Sequence, residues 1–331
     1  MPETFAEFAG ARALITGGLG FIGSNLARRL ADLGAHVTVL DSLIPDSGGN
    51  WFNLAGYEDR VGIHIGDLRE ERALAPLVCG QQYIFNLAGQ VGHLDSMRDP
   101  FTDLEINCRS QLCLLEACRQ RNPAARILYT STRQVYGRAM RVPVQEEHPL
   151  SPVDINGIHK LAAERYHQLY HRIYGLRTTS LRLTNTYGPR MRVRDARQTF
   201  LGLWLRRLLE GNPMEVYGDG TQIRDFNYVD DVVNALLLAA LSKEAEGRTY
   251  NLGSRDAISL HDLARLLVEL NGSGEFRLVP FPPDRLAIDI GDYCGDFSRI
   301  QRQLGWEPVV SLREGLAWTL AYYGAHHAHY W

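Results

Sequence analysis

Cysteine is scarce in this 331-residue chain: five residues, at 79, 108, 113, 118 and 294, with no CxxC pair among them. An odd, scattered set fits reduced thiols in a cytoplasmic protein better than a disulfide framework. Long apolar runs are missing too. The longest, at 235–241, falls well short of the ~18 to 20 residues that a membrane span requires. The first residues, MPETFAEFAGARALITGG, carry acids and lack the cationic start and apolar core of a signal peptide. Excess charge of one sign is absent, since 35 Lys and Arg against 38 Asp and Glu leave −3 with His neutral. No broad basic surface therefore exists to attract nucleic acid. Internal repeats and low-complexity stretches are also lacking. What is present is 45% hydrophobic and 22% charged residues, proportions that give a globular chain a sizeable core. At ~150 residues per domain, the length suggests about two.

An apolar run at 11–15 meets a glycine cluster, and a helical pattern follows. Ile22, Leu26, Leu30 and Leu33 recur at three- and four-residue steps, with Gly34 as a stop. HVTVL at 36–40 then reads as a buried strand ending at Asp41, completing a βαβ unit. Apolar runs at 62–65, 83–87, 126–129 and 178–183 alternate with helical patterns such as 107–119 and 155–174. The fold class is therefore α/β, with a Rossmann-type doubly wound parallel sheet over residues 1–183. Beyond 184 the pattern loosens. Residues 185–197 are polar and arginine-rich, helices fall at 230–241 and 260–270, and a short strand lies at 249–252. Prolines predict an extended 280–285. Residues 184–331 read as a smaller C-terminal α/β substrate lobe, with 223–253 returning to the first domain.

Gly17, Gly20 and Gly23 stand at GxxGxxG spacing between the first strand and helix. Glycine there permits a tight turn and lets backbone N–H groups approach a pyrophosphate at the helix N-terminus. Asp41, at the end of the next strand, is placed to accept both ribose hydroxyls and to repel a 2′-phosphate, favouring NAD over NADP. The plain alternative is a structural turn with a strand-capping aspartate.

Further motifs follow in a fixed order: TGGLGFIG, Asp67 in GDLRE, NLAG at 86–89, YTSTRQVYG at 129–137, Lys160 in HKLAAE, LRLTNTYGPR, and GDGTQIRDFNYVDD. SRIQRQLGWEPVVSLREGL closes the series. From about residue 14 to its end the chain thus resembles the extended short-chain dehydrogenase/reductase family, in particular its NAD-dependent nucleotide-sugar epimerases and dehydratases. The resemblance implies a nucleoside-diphosphate sugar as substrate, a transient 4-keto sugar, and NAD that stays bound and is recycled. It implies a homodimer through helices near 103–120 and 155–174. It puts Phe21, Ile22 and the three glycines in the cofactor set together with Asp41, Asp67, Leu68, Leu87 and Ala88. Asp67 falls near the adenine, Ala88 near the phosphates, Lys160 on the nicotinamide ribose, and Thr132 on the reacting hydroxyl. The substrate set is Ser96, Arg133, Asn185, Arg192, Arg224 and Arg285, with Asn185 and Arg224 on the diphosphate. Phe200, Trp204 and Tyr217 read as core aromatics or as a platform for the base.

The chain departs from this pattern at one catalytic position. The family has a tyrosine four residues before the lysine, and here Asn156 stands there. At ~100° per residue Asn156 and Lys160 share the helix face opposite the apolar stripe of Ile158, Leu161, Ala162, Leu169 and Ile173. An amide cannot serve as a general base, which leaves His159 and His93 as candidates, each with a packing role as the alternative. Tyr136 belongs to a segment that is structural in the family.

A second departure bears on the reaction. After the motif threonine the family's 4,6-dehydratases carry Asp and Glu, and its UDP-glucuronate decarboxylases carry Glu at the second position. Here Arg133 and Gln134 stand there, and neither readily exchanges protons. Ketone rotation needs no such pair, so the expected reaction is epimerisation. A dehydratase or decarboxylase, or a non-catalytic NAD and nucleotide-sugar binder, is the alternative. Arg133 reads as an anion ligand or a surface arginine. Four arginines within 190–197 suit a dianionic small molecule or a solvated loop. The HHAHYW tail offers no metal-ligand pattern and reads as an exposed or partner-packing segment, so no metal is expected.

Overall fold

The computed structural model describes residues 3–45 and 47–331. The first lobe runs β1 (Arg12–Thr16), α1 (Phe21–Asp32), β2 (His36–Asp41), β3 (Val61–Ile65), α2 (Glu71–Val78) and β4 (Tyr83–Asn86). It continues with two short helices, α3 (His93–Arg98) and α4 (Pro100–Leu104), then α5 (Ser110–Arg121), β5 (Arg126–Thr132), α6 (Ile155–Tyr174) and β6 (Arg177–Leu183). The second half adds β7 (Asn185–Tyr187), α7 (Phe200–Leu209), β8 (Met214–Tyr217), β9 (Ile223–Arg224), β10 (Phe226–Tyr228), α8 (Val229–Leu241) and β11 (Thr249–Asn251). It ends with β12 (Ile258–Ser259), α9 (Leu260–Asn271), β13 (Phe276–Val279), α10 (Pro283–Ala287), α11 (Ser298–Leu304) and α12 (Leu312–His326).

Seven parallel strands form the central sheet in the order β11-β6-β5-β4-β1-β2-β3. β1 is an inner strand between β4 and β2, with Ile15 opposite Val39 on one side and Phe85 on the other. Central strands such as β1 and β4 are covered on both faces by helices, which is why they read as unbroken apolar runs. Chain order reverses between β1 and β4, so their carboxyl ends open the crevice where doubly wound sheets take ligands. β11 pairs with β6 at the far edge, and α8 packs into the same core as α1 and β1. The second lobe has its own core around Trp204, Leu205, Met214, Leu263 and Leu316. Asp231 on α8 accepts from the amides of Val309 and Val310, docking the C-terminal segment onto it.

Two expectations need correction, and a third, on the tail, is met only in part. Residues 283–287 are helical, because proline is tolerated in a first turn whose N–H groups are unpaired anyway. The tail stays exposed at His327, Ala328 and His329, as expected, but it is also anchored on its own chain: the His329 ring stacks on Phe52 at 3.7 Å, and the buried Tyr330 donates to Asn53. In α6, Asn156 and Lys160 do share a face, but that face is the buried one. Glu164 and His167 lie on it too, and Ile158, Leu169 and Ile173 face outward. A polar face can be buried because its groups are paired, with Glu164 holding Arg182 and accepting from Ser131.

Candidate active site

A cavity of about 640 Å³ opens at the carboxyl ends of the central strands and is lined by both lobes. Its inner wall is the glycine loop. Gly17 takes φ +71°, and a Cβ there would stand 3.0 Å from the Ala88 backbone. At Gly23 a Cβ would come within 2.2 Å of the Gly17 carbonyl, so only glycine allows this turn to close on the helix. Gly20 begins α1 without a side-chain cap, which leaves helix N–H groups for an anion. Asp41 accepts from the amides of Leu19 and Leu43 at 3.0 and 2.9 Å. Burial pushes its carboxyl above the usual range against those bonds. Asp67 is held below its ordinary range by Arg69, paired at 2.6 Å. These residues, with Phe21, Ile22, Leu68, Leu87 and Ala88, all line the cavity. The cradle that a Cβ would fill and the carboxylate closing β2 fit a dinucleotide without a 2′-phosphate. Among the described residues no group of three or more His, Cys, Asp or Glu is placed to hold a metal ion.

Lys160 also lines the cavity, and its ammonium reaches the Thr130 carbonyl at 3.4 Å. Burial lowers its pKa to about 8, against a small opposing pull from Asp103. Asn156 lines the cavity with its amide already committed: it donates to the Gln90 carbonyl at 2.8 Å and to Asp103 at 3.1 Å. Asp103, fully buried, also takes His159 Nδ1 at 2.7 Å and the Asn107 amide at 3.0 Å. His159 therefore faces this carboxylate and does not line the cavity. His93 does line it. Its Nδ1 lies 2.9 Å from the buried Asp154 carboxylate, off the line of a hydrogen bond.

Two connections bring His93 beside the first turn of α6. Ser96 donates to the His93 carbonyl and accepts from the Asn156 amide. Ser96 is thus a buried tie between α3 and α6 and is absent from the cavity wall, contrary to its expected substrate role. Gln134 donates to Asp154, and its own amide is capped by Thr132. Thr132, His93 and Asn156 thereby converge. Tyr136 is removed from the site, its hydroxyl bound by Arg182 and Asn251.

On the second lobe's side, Asn185, Arg224, Arg285 and Arg133 line the cavity. Asn185 donates to the Asp225 carbonyl at 2.9 Å. Arg224 pairs with Asp289 at 3.2 Å and donates to the carbonyls of Ile223 and Gly291. Arg285 stands over the Tyr217 ring at 5.7 Å. Arg192 is not part of the wall: Asp195 holds it at 2.5 Å, while Arg197 lines the cavity instead. Phe200, Trp204 and Tyr217 all line it, and the first two meet edge to face at 4.9 Å. Sequence reasoning missed Asp154, Asp103 and Asp289. Asp154 had a signal, since an aspartate three residues before a glycine at a helix start marks an N-cap, and it accepts from Gly157. Asp103 had none: of its three side-chain partners Asn107 lies one turn on, but Asn156 and His159 reach it from α6, more than 50 residues away in sequence.

Comparison with known proteins identifies the family and the fold. Residues 13–253 match the NAD dependent epimerase/dehydratase family. UDP-glucuronic acid decarboxylase 1 of Xenopus tropicalis is 33% identical over 318 residues, 94% of this chain and 72% of that protein. Among solved structures, an epimerase of Methanothermobacter thermautotrophicus superposes with TM-score 0.91 at 27% identity, covering 98% of this chain and 96% of the other. A UDP-glucose 4-epimerase of Thermotoga maritima, solved with UDP-glucose, gives 0.87 at 31%, covering 96% and 99%.

Proposed function

The chain belongs to the NAD dependent epimerase/dehydratase family, and we propose that it is a nucleotide-sugar epimerase working through a 4-keto sugar, with His93 as its general base. One observation carries this reading: a single cavity joins the glycine loop, Thr132, Lys160 and His93 to the Asn185, Arg224 and Arg285 side of the second lobe. The glycine loop, Asp41 and Lys160 would hold NAD, which when bound would supply a reversible hydride acceptor for the sugar carbon. Thr132 hydrogen-bonds the reacting hydroxyl. His93 Nε2 takes that hydroxyl's proton, and the buried Asp154 carboxylate beside Nδ1 stabilises the imidazolium. The same proton goes back to the ketone oxygen once the ring has turned. Lys160, at about 8, can supply charged or neutral hydrogen bonds to the ribose near neutrality.

Elimination would need a further acid and base beside Thr132. Gln134 is an amide spent on Asp154 and Arg133 is a cation, which supports epimerisation over water loss. The outward stripe of Ile158, Leu169 and Ile173 on α6, continued by Phe101 and Leu104, supports a homodimer through this face. Five free cysteines support a cytoplasmic site. No helix among the described residues is long and apolar enough to cross a membrane. The test is incubation of the purified protein with a panel of nucleotide sugars, read by NMR. A new C4 epimer is expected, whereas an unsaturated deoxy-keto product, or no turnover on any sugar, would overturn the reading.

A further inference from the structure

We propose that the substrate is a nucleoside-diphosphate uronic acid, and that Arg133 binds the carboxylate at its C6. This rests on the nucleotide-sugar reading above. Arg133 immediately follows Thr132, so its side chain leaves the backbone beside the residue that meets the reacting hydroxyl. It lines the cavity, yet among the described residues it makes no hydrogen bond and no ion pair, and its Nε is buried without a partner. Its guanidinium rests over the Tyr293 ring at 5.7 Å, which fixes the group without neutralising it. A desolvated cation of this kind is unfavourable unless an anion completes it.

The protein itself does not provide that anion. Two carboxylates act on Arg133 through space, Asp225 and Asp289, and both are engaged elsewhere. Asp225 accepts from Thr184 and from the Gly295 amide. Asp289 accepts from Gln222, the Gly291 amide and Arg224. Arg224, by contrast, already places three of its five N–H groups on protein acceptors, the carbonyls of Ile223 and Gly291 and the Asp289 carboxylate. One arginine is therefore built into the wall and the other is held ready. A guanidinium fork matches a carboxylate with two parallel hydrogen bonds, whereas a hydroxymethyl group at C6 satisfies one at most. The competing source of negative charge is the diphosphate, because Arg224 lies near enough to act on Arg133.

Titration calorimetry with UDP-glucose and UDP-glucuronate separates the two sources, since these probes differ only at C6 and the ratio of their affinities cancels the nucleobase. The native protein is expected to bind UDP-glucuronate ~10- to 100-fold more tightly, the range for hydrogen bonds to a charged group. Arg133→Met should erase that ratio, weakening UDP-glucuronate far more than UDP-glucose and leaving UDP binding unchanged, and Arg133→Lys should restore part of it. Equal binding of the two sugars by the native protein would overturn the proposal without needing any variant. Equal weakening of UDP, UDP-glucose and UDP-glucuronate in Arg133→Met would also overturn it, assigning Arg133 to the diphosphate. Failure of UDP, dTDP and both sugars to bind at all would overturn the nucleotide-sugar reading, and this proposal with it.

Discussion

Lys160 offers the clearest test of how this site is held together. Of the chain's 35 basic residues only two are lysines, at 160 and 243, so Lys160 can be changed without disturbing a lysine-rich surface. Its ammonium is buried and its pKa falls from an ordinary 10.5 to about 8. The folded value lies below the unfolded one, so between those limits the unfolded chain binds the extra proton and stability rises with pH. At about 1.4 kcal/mol per pH unit, the charged form costs the folded state about 3 kcal/mol below pH 8. Lys160→Met removes that cost. It also loses a long bond to the Thr130 carbonyl and the contact with the Tyr129 ring, worth together about 1 kcal/mol. With the cofactor stripped from both proteins, urea denaturation should find the variant about 2 kcal/mol more stable at pH 7. The advantage should fall as pH rises and be gone by about pH 10.5, while turnover is lost throughout. A stability difference that is flat from pH 7 to 10.5, or a variant less stable at pH 7, would refute the reasoning.

Other consequences can be checked by activity. His93→Gln should lower turnover ~10²- to 10⁴-fold with nucleotide-sugar affinity retained, the range for loss of a general base. His159→Ala should keep its turnover, because that ring serves Asp103 outside the cavity; the reverse order of effects would exchange the two roles. Asp41→Ala should weaken NAD binding and narrow the preference over NADP, measured by titration of both dinucleotides, since the carboxylate that repels a 2′-phosphate is gone. If the substrate is a uronic acid, its 4-ketone is a β-keto acid. Such an acid loses CO₂ when the C5–C6 electron pair moves into the carbonyl and a proton is taken up at C5. Arg133 pins the carboxylate charge that this step must disperse, so Arg133→Met should raise the fraction of decarboxylated pentose seen by NMR. An unchanged product ratio would contradict that role.

Much of the first lobe was legible because local signals coincided there. The GxxGxxG turn, the apolar strand before it and Asp41 after it are fixed by chemistry within about 30 residues, and the structure places them on one wall. The helix at 155–174 matches residue for residue, with Asp154 and Gly175 as its caps. What periodicity could not reveal is which face of that helix is inside. Apolar residues normally mark the core, but here Arg182 reaches in from β6 to pair with Glu164, and the polar stripe is the buried one. The same limit explains Ser96 and Arg192. Both stand where the motif order suggests substrate contact, and both are consumed by neighbours, Ser96 by α6 and Arg192 by Asp195 three residues on. Spacing identifies a candidate donor, but whether its hydrogens are already spent depends on tertiary partners.

That distinction also accounts for the substitution at position 156. A phenol there would stand beside an ammonium able to lower its pKa, a local arrangement within one helical turn. With Asn156 in place the amide is drawn back to Asp103 and Gln90, and no titratable group remains on that turn facing the cavity except Lys160. The carboxylate able to support a base has moved two residues earlier, to the N-cap Asp154, and the base it supports comes from another chain segment, at the start of α3. Asp154 therefore has two duties: it caps α6, accepting from Gly157 at 2.6 Å, and it faces His93. Asp154→Asn separates them, because asparagine caps a helix about as well as aspartate but carries no charge. It should leave thermal stability nearly unchanged and still lower turnover toward that of His93→Gln, with the double variant no worse than either alone. Additive losses in the double variant would mean that the two residues act independently, and the proton would have to be sought elsewhere.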